Sequence, residues 1–218
     1  MMKNLLNACP VERDLDKTMK RQAGFTIVEL AIAVVIIGII LGAVLKGSAI
    51  IDSARTKNLY AFKNSISQAM YAYHDQYSYF PGDDPNMLAK WPALAVTNGN
   101  GNGAIASGIA STAPAVCLAA NVEQCSLWSA LRQAGFLSGT GFTNPSHSYG
   151  NQVAVTFYTT ASWGAANALI THWIVFMSVP GQTCQVLDAQ HDDGNWQTGS
   201  VRGSATYTSS SLDLFFRL

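Results

Sequence analysis

Residues 20–47 read KRQAGFTIVELAIAVVIIGIILGAVLKG, and the reading of this stretch decides the fold. From Phe25 to Leu45 it holds 21 positions with a single charge, Glu29. At about 1.5 Å of rise per residue the run makes roughly 31 Å of helix, close to the hydrocarbon thickness of a bilayer. A helix buried in a soluble core is rarely apolar on every face for so long. Lys17, Lys20 and Arg21 stand before the run, and no comparable basic cluster follows it at once. The positive-inside tendency then keeps the N-terminus cytoplasmic and exports everything past Lys46. A cleavable secretory signal would need an apolar region of only about 7–15 residues and small residues at its cut site. Here the run is longer, and only Gly47-Ser48-Ala49 offers a poor site after it.

Composition outside the run narrows the remaining classes. Of 218 residues, 49% are hydrophobic and 12% charged, with 13 Lys and Arg against 13 Asp and Glu. That balance argues against a polycationic nucleic-acid footprint and against a basic membrane-surface binder, so no nucleic-acid partner is expected. Five Trp and 10% aromatic content indicate a folded chain. Four Cys are too few for a disulfide scaffold.

A plain membrane anchor leaves Glu29 unexplained, since an ionised carboxylate inside an apolar span costs about 2.5–3.5 kcal/mol on insertion scales. Near a helix end it could reach the headgroups. The junction Gly24-Phe25-Thr26-Ile27-Val28-Glu29 behind Lys20-Arg21 offers a second reading. Together with the apolar helix it closely resembles the N-terminal signature of type IV prepilins and type II secretion pseudopilins. The resemblance implies cleavage by a prepilin peptidase after Gly24 and N-methylation of the new terminus, Phe25. Glu29, then the fifth residue, becomes the assembly determinant. Its carboxylate would pair with the Phe25 ammonium of a neighbouring subunit, and a buried carboxylate is tolerable when so paired. Other pilin or pseudopilin subunits, an assembly ATPase and an inner-membrane assembly platform are the implied partners. The chain departs from the family in two respects. Lys46 stands where many pilins carry a Pro, and the leader, residues 1–24, is long.

The helical pattern continues past the membrane. Ile51, Ala54, Leu59, Phe62, Ile66, Ala69, Met70 and Tyr73 recur at three- and four-residue spacing, with no Pro before Pro81-Gly82. The spacing predicts one helix from about residue 26 to 77, whose second half packs an apolar stripe on a head. Residues 81–125, with PGDDPN and NGNGNGAIASG, read as a long irregular connector. Leu127, Trp128, Leu131 and Ala134, stopped by Gly135, predict a short helix. Gln152–Thr159, Trp173–Val179 and Leu212–Leu218 read as strands, and Gln185–Gln190 as one or two helical turns. The expected fold class is α+β, a long N-terminal helix packed on a small antiparallel sheet. The domains are a leader (1–24), a transmembrane or filament-core helix (25–51) and a periplasmic head (52–218). In the head, the strings PGDDPN (81–86), Trp128–Gly135 and Leu187–Arg202 also resemble a subgroup of prepilin-type proteins.

No enzymatic constellation emerges. His74, His147, His172 and His191 share no metal-ligand spacing, and no nucleophile elbow or phosphate-binding glycine loop is present. Asp192-Asp193 beside Gly194 reads as a solvated helix end. The exported part holds Cys117, Cys125 and Cys184. Cys117–Cys125 is the local disulfide, whereas Cys184 to either partner would tie the connector to the sheet.

One cation pattern remains. Asn98, Asn100 and Asn102 alternate before Gly103 and Ile105, imitating the start of a calcium loop. Ile109 stands where the twelfth-position Glu should be, so this is no EF-hand. A carboxylate would have to come from Asp83, Asp84 or Glu123. The resemblance adds that calcium-stabilised heads occur among pseudopilins, and neutral Asn ligands predict weak affinity, about 10⁻⁴–10⁻³ M. The alternative is an Asn-Gly loop without an ion. The rival function is a membrane-anchored periplasmic binding or hydrolytic domain that keeps its leader.

Overall fold

The structure, a computed structural model, describes residues 24–94, 96–106, 113–119, 121–159 and 170–218. The predicted leader falls almost wholly outside them, as does part of the predicted connector. The chain divides into two compact units, one ending at Gly47 and the other Ser48–Leu218.

Helix α1 covers Ile27–Tyr77, close to the span that periodicity predicts. No Pro interrupts it, so each turn can propagate from the last. Its apolar part is exposed, the large side chains between 51% at Ile36 and 87% at Ile27. Among the described residues α1 is the helix long and apolar enough to cross a bilayer. Burial begins later. Leu59, Ile66, Ala69, Met70 and Tyr73 form the stripe that packs into the head core, at helical spacing. Ile51 and Ala54, expected on that stripe, are exposed instead. The helix ends where Ser78 takes a positive φ of 63° and Pro81-Gly82 forbids continuation.

After a short helix α2 (Met87–Lys90) comes α3 (Glu123–Gln133), buried along nearly its whole length. The Gly135 stop works as a Schellman motif. Gly135 at φ 80° donates its N–H to the Arg132 carbonyl at 3.1 Å, and Phe136 donates to Leu131 at 2.9 Å. Arg132 reaches past this turn to the carbonyls of Gly141 and Thr143 at 2.7 and 2.8 Å, tying the next loop to the helix.

The sheet holds β1 (Val153–Thr159), β2 (Ile170–Pro180), β3 (Val201–Gly203) and β4 (Ser211–Arg217). Its order is β1-β2-β4-β3, antiparallel throughout. A bulge between Phe176 and Val179 shifts the β2–β4 register, with Ser178 at φ 52° and its N–H on Asp213 Oδ1. Helix α4 (Gly181–His191) follows β2 directly, so the predicted turns at 185–190 begin four residues early.

Alternation along the strands sorts the side chains. Val153, Val155, Ile174, Phe176, Leu214 and Phe216 join α1, α3 and α4 in the main core. Ala154, Trp173, Val175 and Phe215 form a second buried cluster. The result is the α+β arrangement of one long helix and a four-stranded sheet.

Candidate functional site

The N-terminal motif is built on the first turn of α1. Residues 24–26 are non-helical and exposed, and Phe25 is 84% accessible. The Gly24–Phe25 bond therefore sits on open backbone immediately ahead of the helix. Glu29 lies in the first turn, where its carboxylate faces the positive end of the helix dipole. Thr26 completes a capping box around it. The Thr26 N–H and hydroxyl both donate to Glu29 Oε2 at 2.9 Å, and the Glu29 N–H donates to Thr26 Oγ1 at 3.2 Å. A carboxylate that would be costly in an apolar run is thus hydrogen-bonded within its own chain. Thr26 is a capping residue the sequence reading passed over, although the Thr-x-x-Glu spacing was legible as a cap.

The second group of candidate residues lies in the connector. Asp83 and Asp84 are almost wholly inaccessible, and Glu123 is 8% exposed. Gly82 and Gly99 make this possible by close approach. A Cβ on Gly82 would lie 2.3 Å from the Glu123 carbonyl oxygen, and one on Gly99 would lie 2.1 Å from the Asp83 carbonyl carbon. Asp83 accepts the N–H groups of Asn102 and Gly103 at 3.1 and 2.8 Å. Glu123 accepts those of Asn100 and Ala106, each at 3.0 Å. Burial raises both carboxyls above their usual range, and the donated N–H groups oppose that rise.

Asp84 serves the opposite side. It receives the Tyr73 hydroxyl at 2.8 Å, the Asn86 N–H at 2.9 Å and the Lys90 ammonium. Lys90 in turn sits 4.3 Å from the Tyr77 ring centre. This ties the end of α1 to α2.

The alternating asparagines are engaged as well. Asn98 Oδ1 accepts from the Leu88 N–H at 2.8 Å, Asn100 Oδ1 from Asn102 at 2.9 Å and Asn102 Oδ1 from Ala104 at 2.8 Å. These oxygens point at backbone amides, each bond turning the chain or pinning it, rather than at one common centre. Asp83, Asp84 and Glu123 do not gather their oxygens into one tight group; among the described residues Asp188, Asp192 and Asp193 do, within 4.8 Å. The donor set named for calcium therefore does not fit a cation in this arrangement, and no step is routed through one. The Asp188 group is likewise bonded inward. Asp188 takes Tyr207 Oη and the Gly194 N–H, and Asp192 takes the Ser200 and Val201 N–H groups.

A disulfide joins Cys117 to Cys125 across eight residues of separation, both buried. By loop-closure entropy a ring of that size contributes about 2.5 kcal/mol. Cys184 is a buried free thiol against the Val179 carbonyl.

A groove of the head, about 380 Å³, runs between α1 and α4 beside Asp52, Lys57, Tyr149, Thr183 and Val186.

Comparison with known proteins gives one match. Residues 19–45 fit the family model described as the prokaryotic N-terminal methylation motif, the hallmark of type IV pilins and pseudopilins. That span contains Gly24, Phe25, Thr26 and Glu29. The motif marks a pilin-like or pseudopilin-like precursor with an N-terminal apolar helix suited to a membrane anchor. No curated protein and no solved structure matches the chain.

Proposed function

We propose that this chain is a structural subunit of a helical filament, a type IV pilus or a type II secretion pseudopilus. The observation that carries the reading is Glu29, capped by Thr26 at the head of an apolar helix within the methylation motif. The subunit is stored in the inner membrane with its head in the periplasm. Prepilin peptidase cuts after Gly24, and Phe25 becomes an N-methylated ammonium one helical turn from the carboxylate. During extraction an incoming ammonium adds a full positive charge to the dipole-level partners Glu29 already has, which fixes axial register. The apolar part of α1 then exchanges lipid for neighbouring helices, so its exposed surface is covered without a cavity. Platform, ATPase and further pilin-like subunits are the partners this sequence of steps requires.

Coexpression with a prepilin peptidase tests the reading. Intact mass and N-terminal sequencing of the membrane fraction should give a start at Phe25 carrying one methyl group. Retention of Met1, or a start near Ser48, would instead indicate an anchored or secreted periplasmic domain.

A further inference from the structure

Three Asn-Gly pairs stand in a row at 98–103, and an Asp-Gly pair at 193–194. Such pairs are the most self-reactive in a polypeptide, because the glycine amide nitrogen meets no side-chain obstruction when it attacks the preceding side-chain carbonyl. The reaction needs that nitrogen free of other partners and its N–H proton lost.

Every one of these glycine nitrogens is already engaged. Gly99 donates to the Asp84 carbonyl at 3.0 Å and Gly101 to the Asp83 carbonyl at 2.9 Å. Gly103 donates to Asp83 Oδ2 at 2.8 Å. Gly194 donates to Asp188 Oδ1 at 3.2 Å. Two of the acceptors are backbone and two are buried carboxylates, and a carboxylate also disfavours loss of the proton that attack demands. The asparagine side chains are held by their own bonds to Leu88, Asn102 and Ala104.

We propose that residues 98–103 are a latent self-modification site, deamidation at Asn-Gly, held shut by the Asp83–Asp84 turn and opened first at Asn102 when the Asp83 side chain lets go. In the step, the Gly103 nitrogen forms a bond to the Asn102 side-chain carbonyl carbon. The carbon–nitrogen bond of the side-chain amide breaks, the Gly103 proton passes through solvent to the departing group, and ammonia leaves. Water then adds to either carbonyl of the five-membered imide, giving Asp or isoaspartate at 102. The new negative charge arises beside Asp83 and near Glu123, which have no described cation of their own. Once begun, modification therefore opposes reclosure.

The distinction between backbone and side-chain acceptors makes the site testable. Asp83→Ala removes the acceptor of Gly103 and leaves the carbonyls that hold Gly99 and Gly101. The full-length protein in detergent is aged at neutral pH, and each tryptic peptide is read by mass spectrometry and by isoaspartate methyltransferase labelling. Loss of a hydrogen bond to a charged acceptor predicts a rate at Asn102 about tenfold or more above wild type. Asn98 and the Asp193–Gly194 pair should stay at their wild-type rates. Glu123→Gln, which touches no attacking nitrogen, should leave Asn102 within about twofold. Acceleration at all four pairs together, Asp193–Gly194 included, would reflect unfolding and would overturn the local latch. A measurement on the unaltered chain decides independently of any variant. Amide exchange at Gly99, Gly101 and Gly103 should be strongly protected, and exchange at the free-peptide rate would remove the proposal.

Discussion

The apolar start of α1 and the Asp83-Asp84 turn reverse what their compositions suggest. Residues 27–45 are the most hydrophobic stretch of the chain and stand exposed. Residues 82–84 belong to a polar turn, Gly-Asp-Asp, and are buried. Burial is therefore not decided by hydropathy alone. Among the described residues such an exposed apolar face is one suited to lipid or to neighbours. A polar turn can be buried when each carboxylate and carbonyl oxygen finds a donor, as Asp83, Asp84 and Glu123 do.

The largest expected effect breaks the first half of that comparison. Glu29→Val makes the span more apolar, so membrane insertion should persist or improve, by about 2.5–3.5 kcal/mol on insertion scales. Incorporation beside wild-type subunits should fail, because the neighbour's ammonium loses its partner. Cross-linking of cysteine-tagged subunits in the membrane fraction reads both quantities. Normal incorporation of the variant would show that the carboxylate does not set register.

The second half breaks at Asp84. Asp84→Ala strands the Tyr73 hydroxyl, the Asn86 N–H and the Lys90 ammonium, which all converge on one buried carboxylate. Removing one member of such a group costs about 3 kcal/mol. The head melt should fall by roughly 6–12 °C, given about 2–4 °C per kcal/mol for a unit of this size. A double variant with Lys90→Met should recover part of the loss, since the orphaned charge is then gone. A melt unmoved by Asp84→Ala would mean the connector is held by its backbone bonds alone.

The same contrast explains what was legible in the sequence. Helix α1 was readable almost to the residue, because periodicity and the Pro81-Gly82 stop are side-chain signals. Strands β1, β2 and β4 and the Gly135 stop were legible for the same reason. The three residues of β3 and the four of α2 are too short to carry any period. In the connector Asp83 and Glu123 bond to main-chain N–H groups, which every residue but Pro carries, so no residue type announces their partners. The Asn98–Asn100–Asn102 alternation looked like ligand spacing because a side chain that bonds an amide two residues on also recurs at every second position. Ile51 and Ala54 carried the right period, yet the stripe that the head covers starts at Leu59.

The smallest effect concerns pH and sharpens the comparison by asking what a buried polar ring contributes. His172 packs between Phe80 and Phe157, with ring centres 4.8 and 5.1 Å away, and accepts the Ile105 N–H on Nε2 at 3.2 Å. Burial lowers its pKa from 6.5 to about 4. The unfolded chain therefore takes up its proton first as pH falls. Stability from this ring is intact above pH 6.5 and is lost progressively down to about 4. The shift amounts to roughly 3 kcal/mol at full value, and partial contact with water reduces it to about 2. His147 adds to the same slope, since burial lowers it too while its Nε2 donates to the Met177 carbonyl. Asp83, Glu123 and Asp188, raised by burial, act in the opposite direction and favour the folded head as pH falls. Comparing variants at each pH cancels those carboxyls. His172→Phe keeps an aromatic ring between Phe80 and Phe157 but has nothing to titrate, at the expense of the Ile105 bond, about 1 kcal/mol at neutral pH. Melts of wild type and variant should converge, then cross, as pH falls from 6.5 toward 4. Parallel curves over that window would mean that His172 is already reached by solvent and carries no proton-linked stability.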